Sequence, residues 1–494
     1  MSRVPSTWCV ITLSMSACGG GAIAQPNVPW EWFEGRAQDG SPLVGELGHL
    51  LVLEDRSNPN GALVELAFVR YRTTNPNPDP PIFYLAGGPG GSGVELVGSF
   101  ATHPQMRFLE HADVIAVDQR GTGLSRPNLA EPTFEFALPL DRAVGRDETA
   151  AALADAWRRC CEHWTRQGVD LSSYDTVESA RDLDEVRAAL GLERIVLFGS
   201  SYGSHLGLTY LRLHPERVAR AIFAKVEGPD HTWKRPGTIQ RHLRIVHDLV
   251  AADAIAASQV PDLIGAVSEL LRRLEREPVT VSLAESTDAT RVVVGPYDLQ
   301  RWVAESLAEV DEIARLPQCT AAFERGEWSA LGEFTRAARR GKLPSAMSVA
   351  MDCASGASPE RLEGIEREAR DSANLLADAI EFPLIRGLCG GTCSVTTLDD
   401  EFRAPFRSDV PVLFVSGTLD ARTPPANVDE IASAFTRAAH VVVENAGHES
   451  RELMSPEYRR LLQAFLRGER VESCTLSLPG VRFVPDAGTA TSRP

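Results

Sequence analysis

The chain has 494 residues, 43% of them hydrophobic, enough for a large buried core and too ordinary a composition for a fibrous or disordered protein. Acidic residues outnumber basic ones, 67 against 50, giving a net charge of −17 with no dense basic stretch, which excludes nucleic acid as the expected partner. The excess is dispersed and reads as a solvated surface.

In chain order, Arg3 precedes a charge-free run from Val4 to Ala24 that ends in Ala22-Ile23-Ala24, before Gln25-Pro26. Small residues at the two positions read by signal peptidase predict a secretory signal over 1–24, cleaved after Ala24, and hence a secreted or periplasmic protein. The competing reading is a lipoprotein signal, Ser16-Ala17-Cys18-Gly19, with a lipid anchor on Cys18, although Met15 stands where that motif usually has Leu. No later segment approaches ~20 consecutive apolar residues, so no membrane span is expected.

A hairpin is expected from Leu50 to Leu53 and Leu63 to Tyr71, around the turn-rich Asp55-Arg-Ser-Asn-Pro-Asn-Gly61. Two short, continuously apolar runs, Ile82 to Leu85 and Val114 to Val117, read as central strands of a parallel sheet, which is buried on both faces. Thr176 to Leu190 has helical period, with Thr176 as N-cap and Gly191 as stop. It leads into a strand from Arg194 to Phe198, a turn over Gly199 to Gly203, a helix to about His214 and a strand from Val218 to Val226. From Pro229 to Ala404 the pattern is mostly helical, which predicts an insertion into a core of 25–228 and 405–484. Strands return at Val410 to Val415 and His440 to Val443, with a helix from about Val428 to Phe435 between them. A last helix starts with Ser455 and Pro456, and 485–494 read as a disordered tail.

Gly199-Ser200-Ser201-Tyr202-Gly203 matches the Gly-x-Ser-x-Gly nucleophile turn in its required context, between a strand and a helix. A serine hydroxyl is a weak nucleophile until a base takes its proton, so a histidine held by a carboxylate is expected downstream. Asp420 follows one of the returning strands, and His448 follows the next, in Asn445-Ala-Gly-His448. Of eleven histidines it alone has this placement, whereas His205, one turn past Ser201, reads as structural. Each has a bland alternative: Asp420 as a turn cap, His448 as a surface residue. Acyl transfer also needs donors for a developing oxyanion. The loop Gly87-Gly88-Pro89-Gly90-Gly91-Ser92-Gly93 supplies one, and the backbone N–H groups of Gly88 and Tyr202 are the candidates. A phosphate-binding loop is the alternative, but the run lacks the Lys-Ser/Thr ending.

These residues resemble α/β-hydrolases related to prolyl aminopeptidase and the secreted tripeptidyl aminopeptidases. The resemblance is carried by Leu53-Glu-Asp-Arg-Ser-Asn-Pro59, Leu85-Ala-Gly-Gly-Pro-Gly-Gly-Ser92, Asp118-Gln-Arg-Gly-Thr-Gly-Leu-Ser125, Gly199 to Gly203, Asp420 to Pro424 and Gly447-His448. It implies an α/β-hydrolase fold, a mostly parallel sheet flanked by helices, with the 229–404 block as a helical cap. It also implies a cofactor-free hydrolase acting on amides or esters at the N-terminal end of peptides. Departures are Ala86 where many relatives have His, Leu47 where secreted relatives often have Cys, and Lys225-Val226-Glu227-Gly228 where Asp-Gly is common.

An aminopeptidase must hold a protonated amine near the scissile bond, which calls for carboxylates. Glu227 and Asp230 are the candidates, with solvated turn residues as the alternative. An esterase or lactone hydrolase with the same triad, and a silent binding protein of the same fold, remain the competing readings. Of nine cysteines, Cys9 and Cys18 lie in the signal, leaving seven, so at least one stays unpaired within the chain. Cys319 with Cys353 is the expected cap disulfide and Cys389 with Cys393 a local one. Zinc at Cys389-Gly-Gly-Thr-Cys393 is the alternative, but no second ligand pair has the spacing.

Overall fold

The computed structural model describes residues 28–283, 290–371, 373–377, 387–389, 393 and 395–485. The signal expected over 1–24 lies outside them, as does all but the first residue of the tail expected over 485–494. Ten strands form one sheet: β1 Trp30–Arg36, β2 Pro42–Leu53, β3 Leu63–Tyr71, β4 Ile82–Leu85, β5 Val114–Val117, β6 Ile195–Ser200, β7 Val218–Ala224, β8 Val412–Gly417, β9 Ala438–Glu444 and β10 Cys474–Ser477. Their spatial order is β1-β2-β3-β5-β4-β6-β7-β8-β9-β10. The first three pairings are antiparallel and the rest parallel.

Side chains alternate between the two faces of the sheet. Phe83, Leu197 and Phe223 enter one core, while Tyr84, Phe198 and Ile222 enter the other. Burial on both faces is why β4 and β5 are apolar throughout and why their bounds are as expected from the sequence. The chain passes from β4 outward to β5 and then back across to β6. The carboxyl ends of β4 and β6 therefore flank a topological switch point, where open α/β sheets place their ligands.

The principal core helices are α1 Gly93–Ala101, α2 Arg146–Arg166, α3 Thr176–Ala189 and α4 Tyr202–Leu213. Helix α3 is capped by Asp175, whose carboxylate accepts the Glu178 N–H at 2.8 Å, and Thr176 is its first residue rather than its cap. Both residue types cap well, and the extended backbone falls on the aspartate. The inserted block carries α5 Pro236–Ala252, α6 Val310–Glu324, α7 Ala346–Ser355 and α8 Pro359–Ala369 among its helices. It has its own hydrophobic core, with Leu243, Leu270, Val303 and Ile313, which runs on to Leu419 and Ala421 at the carboxyl edge of the sheet.

The block is not purely helical. Val279–Leu283 pairs with Thr290–Val294, and Arg340–Lys342 pairs with Glu135–Ala137 of the core. Strands β1 and β10 and the first half of β2 carry no clear signal in the sequence. They lie at the sheet edges, where half-exposed residues dilute the apolar signal.

The disulfides differ from expectation. Cys161 of α2 bonds Cys393, and Cys353 of α7 bonds Cys389, while Cys160, Cys319 and Cys474 are free. Cys389 and Cys393, four residues apart, thus attach to two different helices, one in the core and one in the inserted block. Local spacing carries no information on such a choice.

Candidate active site

Ser201 stands between β6 and α4 with φ 57° and ψ −130°, a conformation a side chain rarely adopts. Such strain costs on the order of 1–3 kcal/mol and persists only where the surroundings over-determine it. Here they do. A Cβ on Gly199 would lie 2.2 Å from the Gly203 carbonyl oxygen, and one on Gly203 would lie 2.1 Å from that of Leu85. Both motif glycines are therefore dictated by close backbone approach. The Ser201 N–H donates to Ala224 O at 3.1 Å. The Ser204 hydroxyl donates to Ser201 O at 2.6 Å and accepts the Glu227 N–H at 2.8 Å, fixing the turn to the strand beside it.

The glycine-rich loop after β4 lies against this turn: a Cβ on Gly87 would meet Ser200 O at 2.9 Å and Ser201 Cβ at 3.4 Å. Gly88 is exposed at φ +126°, and no backbone or side-chain acceptor takes its N–H among the described residues. Tyr202 is the first residue of α4, so its N–H has no acceptor within the helix. Its ring is buried and its hydroxyl contacts Thr176 Oγ1 at 3.1 Å. Asp118 Oδ1 accepts Ser92 Oγ at 2.8 Å and Val94 N at 3.0 Å, anchoring the far end of the loop to the end of β5.

Asp420 follows β8 and is fully buried. One carboxylate oxygen accepts the N–H groups of Arg422 and Thr423, both at 2.9 Å. The other accepts the Thr423 hydroxyl at 2.6 Å and His448 Nδ1–H at 2.9 Å. Burial pushes this carboxyl up, but the hydrogen bond and charge of His448, with Thr423, hold it down to about 2. The bond places the imidazole proton on Nδ1 and leaves Nε2 as the basic nitrogen. Among the described residues no hydrogen bond links Ser201 Oγ to His448. In free enzymes such contacts are commonly long and tighten when substrate binds.

The two acidic candidates are already engaged. Glu227 is buried and accepts Lys234 Nζ at 2.6 Å; burial raises its pKa, and the Lys234 and His205 charges outweigh that and hold it low. Asp230 accepts both the N–H and hydroxyl of Ser358, at 2.8 and 2.5 Å, and so fixes the start of α8. His205 is buried, its Nδ1–H donating to Gly228 O at 3.1 Å, the structural role expected.

Two further carboxyls sit beside His448. Glu309, at the start of α6, has its pKa raised by burial and by a hydrogen bond with Glu449, whose carboxylate also accepts the Val310 N–H at 3.4 Å. Thr423 lay inside a motif already singled out and was legible as a partner of Asp420. Glu309 had no local signal.

The model of the alpha/beta hydrolase fold family matches residues 80–452. A tripeptidyl aminopeptidase of Streptomyces coelicolor is 29% identical over 229 residues, 44% of this chain and 42% of that protein. The serine protease Hip1 of Mycobacterium tuberculosis is 30% identical over 230 residues, 43% of this chain and 42% of that protein. A proline iminopeptidase of Neisseria meningitidis is 31% identical over 146 residues, 29% of this chain and 31% of its own length. The chain thus spans less than half the length of these curated relatives. The family match takes in Ser201, Asp420 and His448 together with strands β4 to β9, and the chain belongs to the α/β hydrolase fold family.

Proposed function

We propose that the protein is an exported serine hydrolase that cleaves peptides from their free N-termini through an acyl-enzyme on Ser201. The observation that carries the reading is the buried Asp420 bonded to His448 Nδ1, at the sheet edge where Ser201 occupies its strained turn. In this mechanism His448 Nε2 takes the Ser201 proton as Oγ attacks the scissile carbonyl carbon. The Gly88 and Tyr202 N–H groups stabilise the oxyanion, and the histidine returns the proton to the leaving amine. Water then attacks the ester by the same route, with His448 again as base, and regenerates Ser201.

The peptidase preference rests on the kinship with aminopeptidases and on carboxylates near the site. Glu227 is the candidate named by the sequence, and the Glu309 and Glu449 pair beside His448 offers a second set. Free-amine aminoacyl or tripeptidyl arylamides are expected to be cleaved, and their N-acetylated forms rejected by roughly 10²-fold or more, because blocking the amine strands carboxylates without a partner. Kinetics on both series and on short-chain p-nitrophenyl esters check this. Fast ester turnover with no amide cleavage supports the esterase or lactone hydrolase reading instead, and the absence of any turnover or fluorophosphonate labelling supports a silent binding protein.

Export is supported by two disulfides, which persist in oxidising compartments. Mass spectrometry of the mature protein is expected to find Gln25 at the N-terminus and the bridges Cys161–Cys393 and Cys353–Cys389. A lipid on Cys18 supports the anchored form instead.

A further inference from the structure

The inserted block touches each of the three core loops that carry the candidate site. The His448 N–H donates to Ala308 O at 3.0 Å, in the turn that opens α6. His242 of α5, buried, contacts the backbone of Leu419, next to Asp420. On the glycine-rich loop, the Ser348 hydroxyl of α7 donates to Pro89 O at 2.6 Å.

This third contact is the most constrained. Ser348 is 8% exposed and lies in the first turn of α7, with its N–H donating to the N-cap Ser345 Oγ at 3.1 Å. Its single hydroxyl proton goes to Pro89 O, so the 2.9 Å contact between Ser345 Oγ and Ser348 Oγ must have Ser345 as donor. The helix is fixed to the core by a further bond, Ala346 N–H to Leu129 O at 3.0 Å. Gly90, at φ +97°, presses on both serines: a Cβ there would lie 2.4 Å from Ser348 Oγ and 2.9 Å from Ser345 Oγ. Pro89 has no N–H, so its carbonyl is the only backbone hydrogen-bonding group this residue offers for fixing the segment that follows Gly88.

We propose that Ser348 is a positioning residue for the reaction, its hydroxyl holding the Gly88-Pro89-Gly90 segment so that the Gly88 N–H stays aimed at the oxyanion formed at Ser201. The inference rests on the serine hydrolase reading above. It makes the cap part of the catalytic machinery rather than a cover over it. A donor that drifts by about 1 Å forfeits much of its stabilisation of the transition state while leaving ground-state binding almost untouched.

The test compares Ser348→Ala, Ser348→Val and Ser348→Thr in the full chain, by steady-state kinetics, thermal unfolding and the second-order rate of fluorophosphonate labelling. Valine and threonine have the same shape and differ by the hydroxyl alone. Alanine and valine are expected to lower kcat and the labelling rate together, on the order of 10-fold or more, with KM within about threefold of the parent. Threonine is expected to stay within about threefold of the parent on every measure. Equal losses for threonine and valine overturn the proposal, since packing then explains them, and so does parental labelling in all three variants. If valine and alanine fail to fold while threonine folds, the hydroxyl is structural and the proposal is again overturned. A parent protein that is not labelled at Ser201 defeats the serine hydrolase reading itself, a different outcome from any of these.

Discussion

Ser201→Ala is expected to abolish turnover, by on the order of 10⁴-fold or more in kcat, and to abolish fluorophosphonate labelling, with no loss of folded protein. The reason the fold survives is local. No hydrogen bond to Ser201 Oγ occurs among the described residues; the turn is held by the Ser201 N–H to Ala224 O and by the Ser204 hydroxyl to Ser201 O. Alanine keeps both backbone groups and leaves the strained φ of 57° where it was. Ser200→Ala is the internal control. Its neighbour role is carried by the backbone, since it is the Ser200 carbonyl, not the hydroxyl, that Gly87 approaches. That variant is expected to keep most activity. Labelling of Ser201→Ala at the parental rate would falsify the nucleophile assignment, and fragmentation of the labelled peptide between Ser200 and Ser201 in tandem mass spectrometry distinguishes the two.

The sequence was most legible where one physical demand acts on a short stretch. Ile82–Leu85 and Val114–Val117 are buried on both faces, so every position had to be apolar and the bounds could be read off. The Gly199 to Gly203 turn was legible because two glycines are forced by carbonyls within 2.2 Å of where a side chain would begin. Edge strands were not, because Trp30–Arg36 leaves Trp32 84% exposed and alternates irregularly. Contacts made by docking the inserted block were also out of reach. Glu309 meets Glu449 across 140 positions, Ser348 meets Pro89 across 259, and nothing in either local pattern announces its partner. Glu227 shows the same limit: the acid is legible, but its partner Lys234, seven residues on, is brought round by a turn with no local signal.

Asp420→Asn is expected to leave the fold intact and lower kcat by on the order of 10⁴-fold, because it inverts the histidine. The oxygen that accepts the Arg422 and Thr423 N–H groups can stay an oxygen, which places the new amide NH₂ where the other oxygen met His448 Nδ1. An NH₂ group only donates, so Nδ1 must become the acceptor and the imidazole proton moves to Nε2. The nitrogen meant to take the Ser201 proton then already carries one. The parent should also resist acid for the same reason that it works. The Asp420 carboxyl is held at about 2 against an ordinary 3.8, so its contribution to stability is present above the unfolded value and is lost as pH falls through about 2. That contribution belongs only to a chain with an ionisable group here. Thermal unfolding of parent and Asp420→Asn is therefore expected to converge as the pH is lowered from 7 toward 2, while turnover at neutral pH separates them. Undiminished turnover by Asp420→Asn would sink the assignment, since no neutral amide can orient His448 through Nδ1–H in this geometry.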